Sequence, residues 1–293
     1  MGPLKVGGNV RRLTRLNDDV AAIRDLASVE EIWSTAPDGV KSQSWIMKPA
    51  NFDSTRKYPM ILEIHGGPHT NYGARFSAEM QAYAAAGYVV LYSNPRGSTS
   101  YGDKFANLID KAYPGNDYDD LMAAVDATIA KGYVDPERLF VTGGSGGGVL
   151  TAWIVGNTNR FRAAVVAKPV INWTSFALTA DNAAYFGKYW FGKNPWEDGA
   201  QAEYWRRSPL SLVGKVKTPT MLIDPERAAA VAAAHPGAHV VTCDVLDRAT
   251  PKLLAEKVEA VSGKLDILVN NVGHFVHALP FDMLNGEQID EIL

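Results

Sequence analysis

Leu139-Phe140-Val141-Thr142-Gly143-Gly144-Ser145-Gly146-Gly147-Gly148-Val149-Leu150 is the stretch that decides the fold. A short β-rich run enters a cluster of glycines around one serine. It leaves through an apolar stretch, Val149 to Val155, that reads as a helix. A serine hydroxyl is a weak nucleophile at neutral pH. It needs a strained strand-to-helix turn, a nearby base and two N–H donors for the developing oxyanion. Small residues on both sides permit that turn, and Gly146 N–H would supply one of the donors. The competing reading is a phosphate-binding glycine loop, which requires Lys followed by Ser or Thr at its end. This loop ends Gly148-Val149-Leu150, so the nucleophile turn is preferred.

Working outward, Val29 to Thr35 and Ser42 to Pro49 flank Ala36-Pro37-Asp38-Gly39 and predict a hairpin. Met60 to Ile64 and Tyr88 to Tyr92 are buried strands on either side of a helix over Phe76 to Ala86 that stops at Gly87. Asp117 to Lys131 places Leu121, Val125 and Ile129 on one helical face and leads through Asp135-Pro136 into the Ser145 strand. Ala163 to Ala167 and Thr220 to Ile223 add two further strands. This alternation predicts an α/β fold of the α/β-hydrolase kind, a mostly parallel sheet with helices on both faces. Between Trp173 and Trp205 lie ten aromatic residues. They read either as a cap over a pocket or as helical packing against the sheet.

The formal net charge of −3 argues against a nucleic-acid surface, and the single cysteine, Cys243, excludes an internal disulfide and a multi-cysteine metal site. No apolar run approaches the roughly 20 residues of a membrane span. Met1-Gly2-Pro3-Leu4-Lys5 does not open a leader, so a cytoplasmic location without a membrane partner is expected. No metal is expected, and the composition carries no signal of oligomeric state.

His65-Gly66-Gly67-Pro68 follows the Met60 to Ile64 strand, where hydrolases of this fold place their second oxyanion donor. Together with Asn94-Pro95-Arg96-Gly97-Ser98, Tyr101-Gly102 and the Ser145 motif, residues 29–223 resemble the catalytic domain of the prolyl oligopeptidase family, near its acylaminoacyl-peptidase and dipeptidyl-peptidase-like members. The resemblance implies peptide or small ester substrates, Ser145 as nucleophile, and the N–H groups of Gly67 and Gly146 as the oxyanion hole. It also implies Arg96 and Tyr101 as substrate-binding residues. Residues 1–28 read as a linker remnant, in which Val10-Arg11-Arg12-Leu13-Thr14 resembles the exit from that family's substrate-gating β-propeller.

After Ile223 the pattern changes. The family would continue with a Gly-x-x-Asp loop bearing the triad acid, whereas this chain reads Asp224-Pro225-Glu226-Arg227-Ala228, with Ala228 at the expected aspartate position. Residues 224–293 instead resemble the middle of a short-chain dehydrogenase/reductase, through Asp224, Asp244-Val245 and Asn270-Asn271-Val272-Gly273. Neither the glycine-rich pyrophosphate loop nor the Tyr-x-x-x-Lys pair accompanies them, so no cofactor, NAD and NADP included, is expected to bind. A βαβ fragment that extends the hydrolase sheet would put Asp224 at a strand end and His274 after the next strand. Those two are the candidate acid and base, in the order Ser, Asp, His. The expected function is a serine hydrolase impaired by replacement of the usual acid and base. An inert chimera and a nucleotide-binding module are the alternatives.

Overall fold

The computed structural model describes residues 15, 18, 25–181 and 183–223. Seven strands form one mixed sheet in the order β1-β2-β4-β3-β5-β6-β7. They are β1 Val29–Thr35, β2 Lys41–Met47, β3 Tyr58–Ile64, β4 Val89–Asn94, β5 Val134–Gly144, β6 Ala163–Ala167 and β7 Thr220–Ile223. β1 pairs antiparallel with β2, and β2 pairs antiparallel with β4; every pairing from β4 through β3, β5 and β6 to β7 is parallel. The hairpin closes where expected, with Ala36 N–H donating to Val40 O at 2.8 Å and Gly39 at φ +89°.

The helices are α1 Ala78–Ala85, α2 Asp103–Ala106, α3 Asp117–Ile129, α4 Gly146–Asn157, α5 Trp173–Thr179, α6 Ala183–Phe186 and α7 Ala200–Arg207. α1 begins later than the Phe76 start read from the sequence because Ser77 caps it, its side chain accepting from Met80 N–H. Met80 and Ala84 of α1 pack with Trp45, Met47, Val90 and Tyr92 on one face of the sheet. On the other face, Leu121 and Val125 of α3 and Val149 and Ile154 of α4 join Met60, Leu62 and Ile64 of β3 in the main core. The two faces follow from strand alternation along β3, which sends Glu63 to the opposite side from Leu62 and Ile64. β5 also departs from expectation. It starts at Val134, pairs there with Tyr58, and shifts register before Leu139 meets Met60, so the exposed stretch from Pro136 to Arg138 bulges outward.

Trp173, Trp190, Phe191 and Tyr204 belong to the main core, which bears out the packing reading for the buried part of the aromatic segment. Tyr189, Trp196 and Trp205 remain exposed. Among the described residues, no helix is long and apolar enough to cross a membrane.

One ion cluster ties the hairpin, the β4 exit and α3 together. Arg96 donates from Nε and Nη2 to Asp120 at 2.8 Å each, its N–H donates to the same carboxylate at 2.7 Å, and Nη1 and Nη2 reach Asp38 at 2.7 and 3.0 Å. Asp120 is completely buried and Arg96 nearly so. Removing one partner of a buried pair leaves the other charge uncompensated. Asp120→Ala is therefore expected to lower the unfolding free energy by about 3–5 kcal/mol in urea titrations. Asp38→Ala, at the exposed end of the cluster, should cost distinctly less. Equal losses would show that the buried pairing is not the source of the stabilisation.

Candidate functional site

Ser145 sits at the junction of β5 and α4 with φ 57° and ψ −116°, a conformation that L-residues other than glycine rarely adopt. Its backbone is held at both ends, Ser145 N–H donating to Ala167 O and Val149 N–H to Ser145 O, each at 3.0 Å. The side chain is exposed and makes no capping hydrogen bond to α4, so the hydroxyl is not engaged by the helix it precedes. The glycines explain the strain. A Cβ at Gly147 would lie 2.0 Å from Ile64 O, and one at Gly148 would lie 2.3 Å from Ala167 O. The first turn of α4 therefore rests on the backbone ends of β3 and β6, closer than any side chain allows.

The His65-Gly66-Gly67 loop leaves β3 beside this turn. A Cβ at Gly66 would be 3.4 Å from Ser145 Cβ, and one at Gly146 would be 2.8 Å from Gly67 O, which puts the two loops in direct backbone contact. Gly67 has φ +107°. His65 holds this loop from within: Nδ1 lies 2.7 Å from Gly66 O, and Nε2 lies 3.0 Å from Ser98 Oγ. Burial pushes the imidazole pKa down, so the ring is neutral. A carbonyl only accepts, which assigns the proton to Nδ1; Ser98 Oγ, beside Nε2, is itself held by donating to Pro95 O at 2.7 Å. Because C=O and N–H point in opposite directions across one trans peptide plane, clamping the Gly66 carbonyl also sets the direction of Gly67 N–H.

The α4 start is braced from the other side. Tyr113 OH donates to Gly146 O at 2.8 Å, and its ring packs edge-on against Trp190 at 4.9 Å and Trp173 at 6.1 Å. Trp190 also lines a cavity of about 70 Å³ with His69, Ile109, Asp110, Tyr185 and Tyr189. His69 donates or accepts through Nδ1 at Gly97 O, 3.0 Å away, and since a carbonyl can only accept, that nitrogen is the donor. A Cβ at Gly67 would touch His69 N at 2.7 Å, so the cavity borders the Gly67 loop.

The structure shows where the two residues expected to contact substrate lie. Arg96, expected to contact substrate, is buried and committed to Asp38 and Asp120. Its pKa is raised first by the hydrogen bonds to Asp120, and its role is to fix the Asn94 to Ser98 exit that delivers Ser98 to His65. Tyr101 is similarly occupied, its hydroxyl donating to Gln43 Oε1 at 2.5 Å and accepting from Asn94 Nδ2 at 2.7 Å. Asp224 and His274 lie outside the described residues. Sequence reading missed His65 as a loop clamp, although its place directly after β3 was visible. Among the described residues no cluster of metal-ligating side chains occurs.

Asp117, at the start of α3, is fully buried. Its Oδ1 accepts from Gly115 and Tyr118 N–H at 2.8 Å each, while Oδ2 has no partner. Burial pushes its pKa up to about 7. The folded state thus keeps a proton that the unfolded chain loses above its ordinary range, so this group's contribution to stability falls between about pH 4 and pH 7 and is level above it.

Three comparisons set these features beside known proteins. The sequence model described as the prolyl oligopeptidase family matches residues 74–245, and that for short chain dehydrogenase matches residues 217–293. The uncharacterized peptidase YuxL of Bacillus subtilis (strain 168) is 43% identical over 225 residues, covering 76% of this chain and 34% of that protein. Dipeptidyl-peptidase 5 of Schizosaccharomyces pombe is 33% identical over 201 residues, covering 67% of this chain and 29% of that protein. The solved acylaminoacyl peptidase of Pyrococcus horikoshii superposes with a TM-score of 0.67 at 29% identity, over 72% of this chain and 34% of that one. The chain spans about a third of the length of these relatives.

Two outcomes follow for this region. Gly147→Ala should destabilise the fold by about 1–3 kcal/mol or more, because the new methyl meets immovable backbone, whereas Gly73→Ala, with 3.9 Å to its nearest neighbour, should be tolerated. Thermal unfolding distinguishes them, and equal midpoints would refute the close-approach argument. Asp117→Asn should remove a pH-dependent loss of stability between pH 4 and 7, worth about 1.4 kcal/mol per unit of pKa separation. Parallel stability curves for the two proteins across that range would contradict the raised pKa.

Proposed function

The chain belongs to the prolyl oligopeptidase family, and from that premise we propose that it is a serine hydrolase acting on peptide or acyl-peptide bonds through an acyl-enzyme. The observation that carries this reading is the backbone of Ser145, held at φ 57° between β5 and α4 with its side chain exposed and uncapped. In the reaction, Ser145 Oγ attacks the substrate carbonyl carbon and its proton passes to a base. The oxyanion is received by the N–H groups of Gly67 and Gly146. Collapse expels the amine or alcohol, and water then hydrolyses the ester to Ser145. The small aromatic cavity of Tyr185, Tyr189 and Trp190, bordering the Gly67 loop, supports a subsite for an apolar substrate group.

His274 and Asp224 are assigned as base and acid of this chain, in place of the family's own loops. A base and acid supplied by a segment of different ancestry support impaired turnover, in which activated esters are favoured. Amides demand both an effective base and a proton for the leaving amine, whereas an oxyanion hole alone retains a residual ~10³–10⁴-fold acceleration. The short-chain dehydrogenase match over residues 217–293 supports a second reading, an inert fusion or a nucleotide-binding module. Calorimetric titration with NAD separates the nucleotide-binding module from the hydrolase, which gives no heat of binding, and labelling by an active-site probe separates the inert fusion.

A fluorophosphonate probe is expected to label the chain, and Ser145→Ala should abolish the labelling. p-Nitrophenyl acetate should be hydrolysed far faster than its amide analogue; comparable rates would show an unimpaired triad. His65→Ala releases the Gly66 carbonyl and is expected to slow labelling by about 10²–10³-fold, the usual consequence of losing one oxyanion donor. Unchanged labelling of that variant would remove Gly67 from the oxyanion hole, and a wild-type chain inert to the probe would sink the nucleophile assignment.

A further inference from the structure

Glu63 is a buried acid for which the proposed chemistry has no use. It lies on β3 two residues before His65, on the α1 side of the sheet, and is only 8% exposed. Its Oε1 accepts a long hydrogen bond from Tyr72 OH at 3.4 Å, and its Oε2 is buried with no partner. Tyr72 stands between this acid and the catalytic loop. Its ring packs edge-on against the His65 imidazole at 5.2 Å and against Tyr92 at 5.5 Å. Its backbone is pinned by Asn94, which accepts from Tyr72 N–H at 2.7 Å and donates to Tyr72 O at 3.1 Å. Facing the cluster from α1, Tyr83 OH donates to Glu79 Oε1 at 2.8 Å.

Burial first, and then the nearby Glu79, hold the Glu63 carboxyl well above the usual carboxylate range. The same burial raises the Tyr72 hydroxyl, and no cation is among the groups that shift Glu63. Burial thus favours the uncharged form of both groups. A buried carboxyl with one oxygen unpartnered in an apolar face is a poor choice for stability alone, since a leucine of similar volume would avoid the desolvation. Groups retained at such a cost concentrate where function needs them.

We propose that Glu63 and Tyr72 are positioning residues for the oxyanion loop: the buried Glu63 carboxyl fixes the Tyr72 hydroxyl, the Tyr72 ring backs His65, and His65 clamps the Gly66 carbonyl. This rests on the reading of Gly67 as an oxyanion donor. The chain of contacts runs from β3 through the loop after it and back to the residue that follows β3, so it closes on the segment it positions. Ser98 holds the far side of the same imidazole, which leaves His65 with one orientation.

The experiment compares Glu63→Leu, Glu63→Gln and Tyr72→Phe in the full chain. It follows three readouts: thermal midpoint, the saturating rate of Ser145 phosphonylation, and the ring resonances of His65 in histidine-labelled protein. Glu63→Leu is expected to raise the thermal midpoint yet slow phosphonylation about 10-fold or more at unchanged half-saturating probe concentration, with His65 shifted. Glu63→Gln, neutral and still an acceptor for Tyr72, should restore the rate to within about 2-fold of wild type. Tyr72→Phe, which removes only the hydroxyl, should shift His65 in the same direction as Glu63→Leu and serves as the probe if the leucine variant does not fold. A Glu63→Leu protein that labels at the wild-type rate with His65 unmoved would overturn the proposal and leave Glu63 an ordinary core residue. If wild type does not label at all, the nucleophile reading fails, and the His65 resonances then decide alone. Movement in Glu63→Leu and Tyr72→Phe upholds the clamp, and no movement overturns it.

Discussion

Backbone-to-backbone contact at the start of α4 is the constraint on which the rest of the structure depends. Gly147 and Gly148 bring the helix against the carbonyl ends of β3 and β6, and no side chain fits in either gap. With the helix drawn in so tightly, the chain has no room to leave β5 in a relaxed conformation. The residue between strand and helix takes the strain, and that residue is Ser145. The exposure of its hydroxyl is thus a consequence of how little space lies beneath the helix.

Around that turn the supports are arranged by distance from the serine. The Gly66-Gly67 backbone touches it directly, His65 restrains that backbone, and Ser98 restrains His65. Ser98 is in turn delivered by a loop whose Arg96 is locked to α3 through Asp120. An ion cluster remote from Ser145 therefore bears on the Ser145 turn through geometry alone. The Tyr113 hydroxyl does the same from the aromatic side, tying Gly146 to the packing of Trp173 and Trp190.

The α/β architecture and the Ser145 turn were legible because their signals are local. Strand runs, caps and a glycine cluster within a dozen positions carry their own physical meaning. The hairpin at Gly39 and the α3 face of Leu121 and Val125 were readable for the same reason. What the sequence did not disclose were pairings between distant positions. The burial of Arg96 was not legible because its partners Asp120 and Asp38 are 24 and 58 residues away. The clamp on His65 depends on Ser98, 33 residues on, and nothing in the local sequence ties the two together. The bulge at the start of β5 was hidden for another reason: Asp135-Pro136 reads as the end of a loop, but Val134 still completes a ladder with Tyr58. The aromatic segment, open to two readings, has most of its rings in or against the core, while Tyr189, Trp196 and Trp205 are exposed.

β7 carries a consequence of its own. It is four residues long, two of them exposed, and it is held to β6 in parallel register through main-chain bonds, with Lys168 N–H donating to Ile223 O at 2.7 Å. Both family matches include it, since they overlap across residues 217–245. Parallel pairing reads the backbone more than the side chains, so short β-branched strands from unrelated open sheets are nearly interchangeable at such a position. A genetic crossover inside β7 leaves the ladder, and with it the Ala167 carbonyl that holds Ser145, undisturbed. It exchanges only what comes afterwards. In a parallel sheet of this kind, the strand that ends one ancestry can serve as the first strand of another.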